Sequence, residues 1–352
     1  MDVTISIARS LAELQSLRDD WDRLAFAQTN PFLCFSWHYH WCVRFGSSFG
    51  LWTAVVRKAG VVIAICPWGI RRGTALFPDR KLTWLGYHGV TPTCLEILVA
   101  PGAWTSAKPL LVDALTSSRD FDRWDFRRVA QGGHAAELFL TAPFVSDMPD
   151  RSCPVTVLAG SSEEYFRSLS KGLRKELNNK HARLAAQGDL SYEHWSAARD
   201  VLRVFPELIR LNRQRMVSKQ VDGGFLDPTF TRFHESLIAD VAGRGLVRLD
   251  VLRLDGAAVA ATYCLGSGDY LYGYQSGFDP VYDASSPMTV LDGIRLKRLT
   301  EENRIKRYDW GPGPELYKRR FSNHEAHYRH IRGAQPTAAG RVWKGLFRAA
   351  GR

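Results

Sequence analysis

Ser285-Ser286-Pro287-Met288-Thr289 opens a helical stretch that follows three closely spaced strands. Serine is a favoured N-cap and proline fits the first helical turn, so Ser286 and Pro287 mark the helix start. Such a start presents unpaired N–H groups and partial positive charge, which suits a pyrophosphate. Other spacings fit chemistry less well. Gly46-Ser47-Ser48-Phe49-Gly50 has the pattern of a hydrolase nucleophile elbow. That motif needs a strand before the serine and a helix after it, and here the order is reversed. His324, His327 and His330 recur every third residue; on a strand they point to opposite faces and cannot converge on one ion. His38 and His40 complete no ligand set of the right spacing, and no metal site is expected. Cys34, Cys42, Cys66, Cys94, Cys153 and Cys264 include no Cys-x-x-Cys pair and read as plain buried thiols. Neither a phosphate-binding Gly-x-x-x-x-Gly-Lys-Ser/Thr loop nor a Gly-x-Gly-x-x-Gly fingerprint occurs.

The elements around these residues follow from periodicity. Ser10-Leu11-Ala12-Glu13 is a capping box, and Leu11, Leu14, Leu17, Trp21 and Leu24 continue it at helical spacing. A second helix is expected over Trp37–Phe45, then strands over Leu51–Val56 and Val61–Ile70 with a turn at Ala59-Gly60. Ser161-Ser162-Glu163-Glu164 is another capping box, opening a helix with Phe166, Leu169, Leu173, Leu177 and Leu184 on its apolar side. Its opposite side carries Lys171, Arg174, Lys175, Lys180 and Arg183. Asp227-Pro228 starts a helix with Phe230, Phe233, Leu237 and Val241 facing inward, ending at Gly243 and Gly245. Strands follow over Val247–Leu254, Ala257–Leu265 and Tyr270–Gly277, the first two joined at Asp255-Gly256. After a loop over Asp279–Pro287 come a helix, Thr289–Asn303, and a strand, Arg307–Trp310, that runs into Gly311-Pro312-Gly313-Pro314. An internal echo links the halves: Arg57-x-x-Gly60-x-x-Ile63-Ala64 matches Arg253-x-x-Gly256-x-x-Val259-Ala260.

The 352 residues are 45% hydrophobic and 24% charged, with a mean hydropathy of −0.21, an ordinary globular composition long enough for two domains. No window approaches the ~18 apolar residues of a membrane span, and the start of the chain lacks a secretory pattern, so a cytoplasmic protein is expected. Lys+Arg 47 against Asp+Glu 36 leaves +11, which favours anionic partners. More than half of the excess lies after Glu325, in Arg329, Arg332, Arg341, Lys344, Arg348 and Arg352. That argues against a dedicated DNA-binding protein.

Leu249 through Lys318 resembles the GCN5-related N-acyltransferase (GNAT) superfamily, and within it the FemAB/FemX-like branch with the CelD-type cellulose-biosynthesis acetyltransferases. The residues that carry the resemblance are Asp255-Gly256-x-x-Val259-Ala260, Tyr272-x-Tyr274-x-x-Gly277-Phe278-Asp279-Pro280, Ser286-Pro287, Asp309-Trp310-Gly311 and Glu315-x-Tyr317-Lys318. Leu173-Arg174-Lys175-x-x-x-Asn179-Lys180 is similar to that family's basic helix. Looser matches, Asn30-Pro31-Phe32, Trp37, Gly60, Ala64-x-x-Pro67 and Trp84-x-Gly86, extend it over roughly residues 10–332. The resemblance implies an α/β (α+β) chain of tandem GNAT-like folds, each a mixed, largely antiparallel sheet flanked by helices. The domains are then 1–150, 151–335 with the better site motifs, and a basic tail, 336–352. One departure stands out: the branch commonly has Ser-Pro-Gly where this chain has Ser286-Pro287-Met288, and Met adds bulk where glycine lets backbone approach a phosphate.

The activity implied is transfer of an acyl group from acyl-CoA, such as acetyl-CoA, to an amine or hydroxyl of a small-molecule or glycan acceptor, with no permanently bound cofactor. Asp309 or Glu315 would relay a proton from the amine, Tyr317 would protonate the leaving thiolate, and Lys318 would offset developing negative charge. Ser285, Ser286, Pro287, Met288 and Thr289 would hold the donor, and Tyr274, Trp310 and Arg174 the substrate. Two alternatives accompany this reading. One is a FemX-like transferase using charged tRNA, although the long helical arms of some such enzymes are not evident between residues 188 and 245. The other is a non-catalytic subunit of a polysaccharide-assembly complex. In the tail, Val342, Trp343, Leu346, Phe347 and Ala350 fall within about 140° of helical arc, opposite Arg341, Lys344, Arg348 and Arg352. This predicts reversible attachment to an anionic membrane surface at the inner face.

Overall fold

The computed structural model describes residues 2–343 apart from 75–76, 143–144, 159, 242–243, 314 and 336–341. Two compact units divide the chain: Met1–Ser152 with His327–Arg352, and Cys153–Ala326. The expected class, mixed α/β with largely antiparallel sheets flanked by helices, is the observed one. The boundary drawn at residue 335 moves, because Tyr328–Ala334 pairs with Arg123–Ala130 and Val145–Pro149 in a sheet of the first unit. A backbone with free edges on both sides joins whichever strands lie beside it, and no sequence pattern names them.

The first unit holds a four-stranded and a six-stranded sheet. Ser10 and Glu13 form the expected capping box, but the helix is interrupted at Leu17 into Leu11–Ser16 and Arg18–Phe26. The strand expected over Val61–Ile70 divides at Pro67, which has no N–H to give a ladder. Val61–Cys66 stays with one sheet and Trp68–Thr74 joins the other.

The second unit is one seven-stranded sheet with helices packed on it. Its strands are β1 (Cys153–Val157), β2 (Leu190–Trp195), β3 (Val247–Leu254), β4 (Ala257–Ser267), β5 (Tyr270–Phe278), β6 (Arg307–Asp309) and β7 (His324–Ala326), in spatial order 2-3-4-5-6-1-7. Its helices are α1 (Ser162–Ser168), α2 (Lys171–Ala185), α3 (Ala198–Ser218), α4 (Pro228–Val241), α5 (Pro287–Glu302) and α6 (Leu316–Phe321). The single helix expected from Ser161 is two, because Leu169 is extended and Ser170 caps afresh by accepting from the Leu173 N–H. Between Gly188 and Asp227, where no element is expected, the chain forms β2 and the 21-residue α3.

The repeated motif has a repeated geometry. Ala59 and Gly60 have φ of 49° and 83°, and Asp255 and Gly256 have 49° and 79°, the doubly left-handed turn that fits the twist of a hairpin. Each hairpin then skips one residue at the same place. Val56 pairs Ala64 and Arg57 pairs Val62, while Leu252 pairs Ala260 and Arg253 pairs Ala258. Ile63 and Val259 are the extra residues.

One contact fixes α3 on the sheet. A Cβ on Gly277 of β5 would sit 2.2 Å from the Asn212 backbone nitrogen and 2.4 Å from the Leu211 carbonyl carbon. Backbone cannot yield as a side chain can, so Gly277→Ala must push α3 off β5. Overpacking of this kind costs about 1–3 kcal/mol, and urea unfolding of the variant should show a loss of at least that size.

Candidate functional site

Strands β5 and β6 run parallel for only three registered pairs: Tyr270–Arg307, Leu271–Tyr308 and Tyr272–Asp309. Beyond Tyr272, β5 continues to Phe278 while the chain after Asp309 turns away, and the sheet opens there into a cleft. Asn212 of α3 braces the released half of β5. Its Nδ2 donates to the Ser276 carbonyl at 2.7 Å and to Gln275 Oε1 at 3.4 Å. Arg215, one turn further along α3, lines the cleft.

The far wall comes from α5 and from the loop into α6. Met288, Asp292 and Arg295 stand at i, i+4 and i+7 of α5, one face of a helix, and all three line the cleft. Gly313 has φ of 150°, and a Cβ there would lie 1.9 Å from Glu315 Oε2 and 2.9 Å from Lys318 Nζ. That gap lets Lys318 Nζ donate to the Pro312 carbonyl at 3.0 Å and pair with Glu315 Oε2 at 3.1 Å.

The inner chamber, about 140 Å³, includes Arg215, Tyr274, Trp310, Glu315, Tyr317 and Lys318 in its lining. An outer chamber of about 250 Å³ takes in Lys219, Asp283, Ser286, Pro287, Met288 and Thr289. The two share Arg215, Ser276, Met288, Asp292 and Tyr317. Nine of the sequence-predicted residues therefore converge: Glu315, Tyr317, Lys318, Ser286, Pro287, Met288, Thr289, Tyr274 and Trp310.

Three do not. Asp309 is fully buried, accepting from the Gly311 N–H at 2.7 Å and from the Tyr270 hydroxyl at 3.3 Å; it shapes the turn that opens the cleft. Ser285 is buried and accepts from Gln187 Nε2 at 2.8 Å. Arg174 lines a separate groove beside α2. Two that do line the cleft are anchored elsewhere. The Tyr274 ring lies among Phe230, His234 and Tyr263, and Trp310 Nε1 donates to Thr156 Oγ1 at 2.9 Å while its ring stacks on Phe321.

Ser286 occupies the N-cap of α5 in the left-handed region, φ 49°, and its hydroxyl does not cap; it points back toward the Asp283 carbonyl at 3.4 Å. The expected cap is thus corrected. Pro287 has no N–H, and those of Thr289 and Val290 both go to the Ser286 carbonyl. The start of α5 therefore offers an anion little beyond the Met288 N–H. Cationic side chains, Arg215 and Lys219, stand beside it instead.

Asp292, Arg295 and Arg215 are cleft residues that motif reading missed. Arg295 is 1% exposed, and its Nη2 donates to Asp292 Oδ1 at 2.6 Å. Its guanidinium lies 4.5 Å from the Tyr308 ring centroid and 5.8 Å from that of Trp310, while Nε and Nη1 find no partner among the described residues. A signal was available for this pair: a charged i, i+3 couple inside the apolar stripe Leu291, Leu296, Leu299. Arg215 has none, since its position depends on where α3 ends over β5.

Burial raises the Asp292 carboxyl above the usual Asp range, with Arg295 offsetting part of the effect. Partial burial works to raise Glu315 too, but its own backbone N–H, Lys318 and Arg215 outweigh it and hold Glu315 below the usual range. Burial, and then the charges of Asp292 and Glu315, push the Tyr317 phenol up. The inner chamber thus presents a carboxyl held low and a phenol held high beside the Lys318 side chain. That set can take a proton from one atom, give one to another and meet negative charge between them.

Residues 171–319 match the family model described as an acetyltransferase (GNAT) domain. That span begins at α2 and ends in α6, enclosing both chambers. FemX has a similar structure, with a TM-score of 0.64 over 94% of this chain and 97% of that one at 11% identity. The C-terminal domain of a putative lysylphosphatidylglycerol synthetase from Agrobacterium fabrum gives 0.57, covering 96% of each chain at 13% identity. L-PGS from Bacillus licheniformis gives 0.50, covering 82% and 87% at 12% identity. At such identities the likeness is one of fold. No curated protein matches the sequence.

Two predictions follow from the charges. Removing one partner of the buried pair, by Asp292→Asn or Arg295→Met, should cost about 3–5 kcal/mol in urea unfolding, and Asp292→Leu with Arg295→Met should recover part of it. Glu176 of α2 anchors α6 through Arg320 and also pairs with Lys180 at 2.5 Å. Arg320 first and then Lys180 lower Glu176 from 4.5 to about 2. A lowered carboxyl contributes stability that is full above its unfolded value and fades as pH falls through the folded one. The stability gap between wild type and Glu176→Gln should therefore be widest above pH 4.5 and close toward pH 2.

Proposed function

We propose that the second unit moves an acyl group from acyl-CoA, acetyl-CoA being the simplest donor, to an amine or hydroxyl of a sugar, a polysaccharide precursor or a related small molecule. This keeps the activity suggested by the CelD-type resemblance. The observation that carries it is Glu315, Tyr317 and Lys318 together on one small chamber that adjoins an outer one carrying Arg215 and Lys219. The donor's phosphates would meet Arg215 and Lys219, with its thioester reaching inward. A neutral amine would attack the carbonyl carbon, forming the C–N bond while Lys318 faces the developing oxyanion. The amine proton would leave through water to Glu315. The C–S bond would then break, the thiolate taking its proton from Tyr317, which regains one from solvent.

A second reading has one observation in its favour. Pro287, Met288 and the inward-bonded Thr289 and Val290 N–H groups make the start of α5 a poor pyrophosphate cradle, which suits a FemX-like transfer from charged tRNA. Copurification of RNase-sensitive tRNA, with no response to acyl-CoA, would select it.

Acyl-CoA at a hundredfold its Kd should stabilise the protein by about 2.7 kcal/mol, seen as a rise in Tm. Free-thiol release with amine acceptors should fall by about 10²–10⁴ in Glu315→Gln and by about 10²–10³ in Lys318→Met. Because Glu315 is held low, the acid limb of kcat/KM should follow the acceptor amine and move when the acceptor is changed. Neither stabilisation nor thiol release with any acyl-CoA would sink the proposal, and if no tRNA copurifies either, a non-catalytic subunit becomes the better reading.

A further inference from the structure

A further cavity lies outside the cleft. A groove of about 550 Å³ runs between α1, α2 and the side of α5 that carries Val290, Gly293, Ile294 and Lys297, a volume typical of small-ligand sites. Phe166, Leu177, Val290 and Ile294 supply its apolar surface. Two core clusters border it without meeting there, one holding Leu173 and Leu177, the other Val290 and Leu291. A Cβ on Gly293 would come 3.0 Å from Leu177 Cδ2, so the glycine sets how closely α2 and α5 approach along the floor.

The charges at the rim are unbalanced. Arg174 and Lys297 both line the groove, and neither side chain has an ion pair or hydrogen bond among the described residues. Arg174 Nε is buried with no acceptor, a cost that a ligand oxygen would remove. Neighbouring acids are already engaged. Glu163, the one acid on the groove, pairs with Arg167 at 3.1 Å, and Glu176 pairs with Lys180 and Arg320.

We propose that this groove binds an anionic amphiphile, its acyl chain lying against Phe166, Leu177, Val290 and Ile294 and its phosphate or carboxylate head on Arg174 and Lys297. An apolar helix from another protein would cover the trough and leave the buried Arg174 N–H unanswered. A free phosphate would answer the cations and leave the trough empty. Only a ligand with both parts satisfies both features. The inference does not rest on the reaction assigned to the cleft.

Isothermal titration calorimetry of the full chain tests it, with dodecyl phosphate kept below its micelle concentration, inorganic phosphate, and dodecyl maltoside as the three probes. Dodecyl phosphate should bind saturably with one site per chain, and the other two at least tenfold more weakly. Arg174→Gln with Lys297→Gln should weaken dodecyl phosphate tenfold or more. Asn178→Trp, an exposed position on the groove lining, should weaken it by filling the trough. Both variants should keep the wild-type Tm, which separates lost binding from lost folding. The proposal is overturned if dodecyl phosphate does not bind, or if both variants bind it like wild type. Inorganic phosphate binding equally well would mean a plain anion site, and dodecyl maltoside binding equally well a plain apolar one; either also overturns it.

Discussion

Strand β6 stops at Asp309 while its parallel neighbour β5 runs six residues past Tyr272 to Phe278, and the cleft is the consequence. A strand released from one partner leaves backbone groups that must be satisfied elsewhere. Here α3 does so, with the Asn212 side chain on the Ser276 carbonyl and Gly277 admitting the helix backbone. The other lip is held by Asp309, whose carboxylate takes the Gly311 N–H and so commits the chain to turn away. Apart from Thr262 of β4, the residues that line the inner chamber come from these two lips or from α5 between them.

The electrostatics of the chamber depend on that geometry. Arg295 and Asp292 are nearly solvent-free, and their attraction would be weaker in water. Glu315, at the mouth and 42% exposed, shares Lys318 and feels Arg215. The two carboxylates thus move in opposite directions, Asp292 up and Glu315 down. Sites that need one ionised group beside one that resists ionisation are built by such differences in environment.

The two units share a hairpin down to its irregularity: the same turn torsions and the same skipped residue, Ile63 in one and Val259 in the other. A bulge disturbs the ladder and bends the strand, so two of them at matching positions favour a duplicated unit over chance reuse of a turn. In the tail, the described Trp343 lies with its ring 4.0 Å from the Arg123 guanidinium, while Leu346, Phe347 and Ala350 of the expected apolar face lie outside the described residues.

Features set by a few neighbouring residues were legible in the sequence. The capping boxes at Ser10 and Ser161, the strand Val247–Leu254, the inward face of the Asp227-Pro228 helix and the paired turns at Gly60 and Gly256 each follow from local torsions and periodicity. Family resemblance added Glu315, Tyr317 and Lys318, and the Gly311-Pro312-Gly313 turn was visible as the break before them. The tertiary structure decided the rest. Asp309 and Glu315 were equivalent candidates by type and spacing, yet one carboxylate is spent on a backbone N–H and the other lines the chamber. Arg215 enters because α3 crosses β5 where the strand is free, and Arg174 leaves because α2 faces the other side of α5. The physical reason is the range of the forces involved. Caps, turns and amphipathic stripes are fixed by torsions within one or two helical turns, whereas the side chains that share a cavity are fixed by where distant backbone stops pairing.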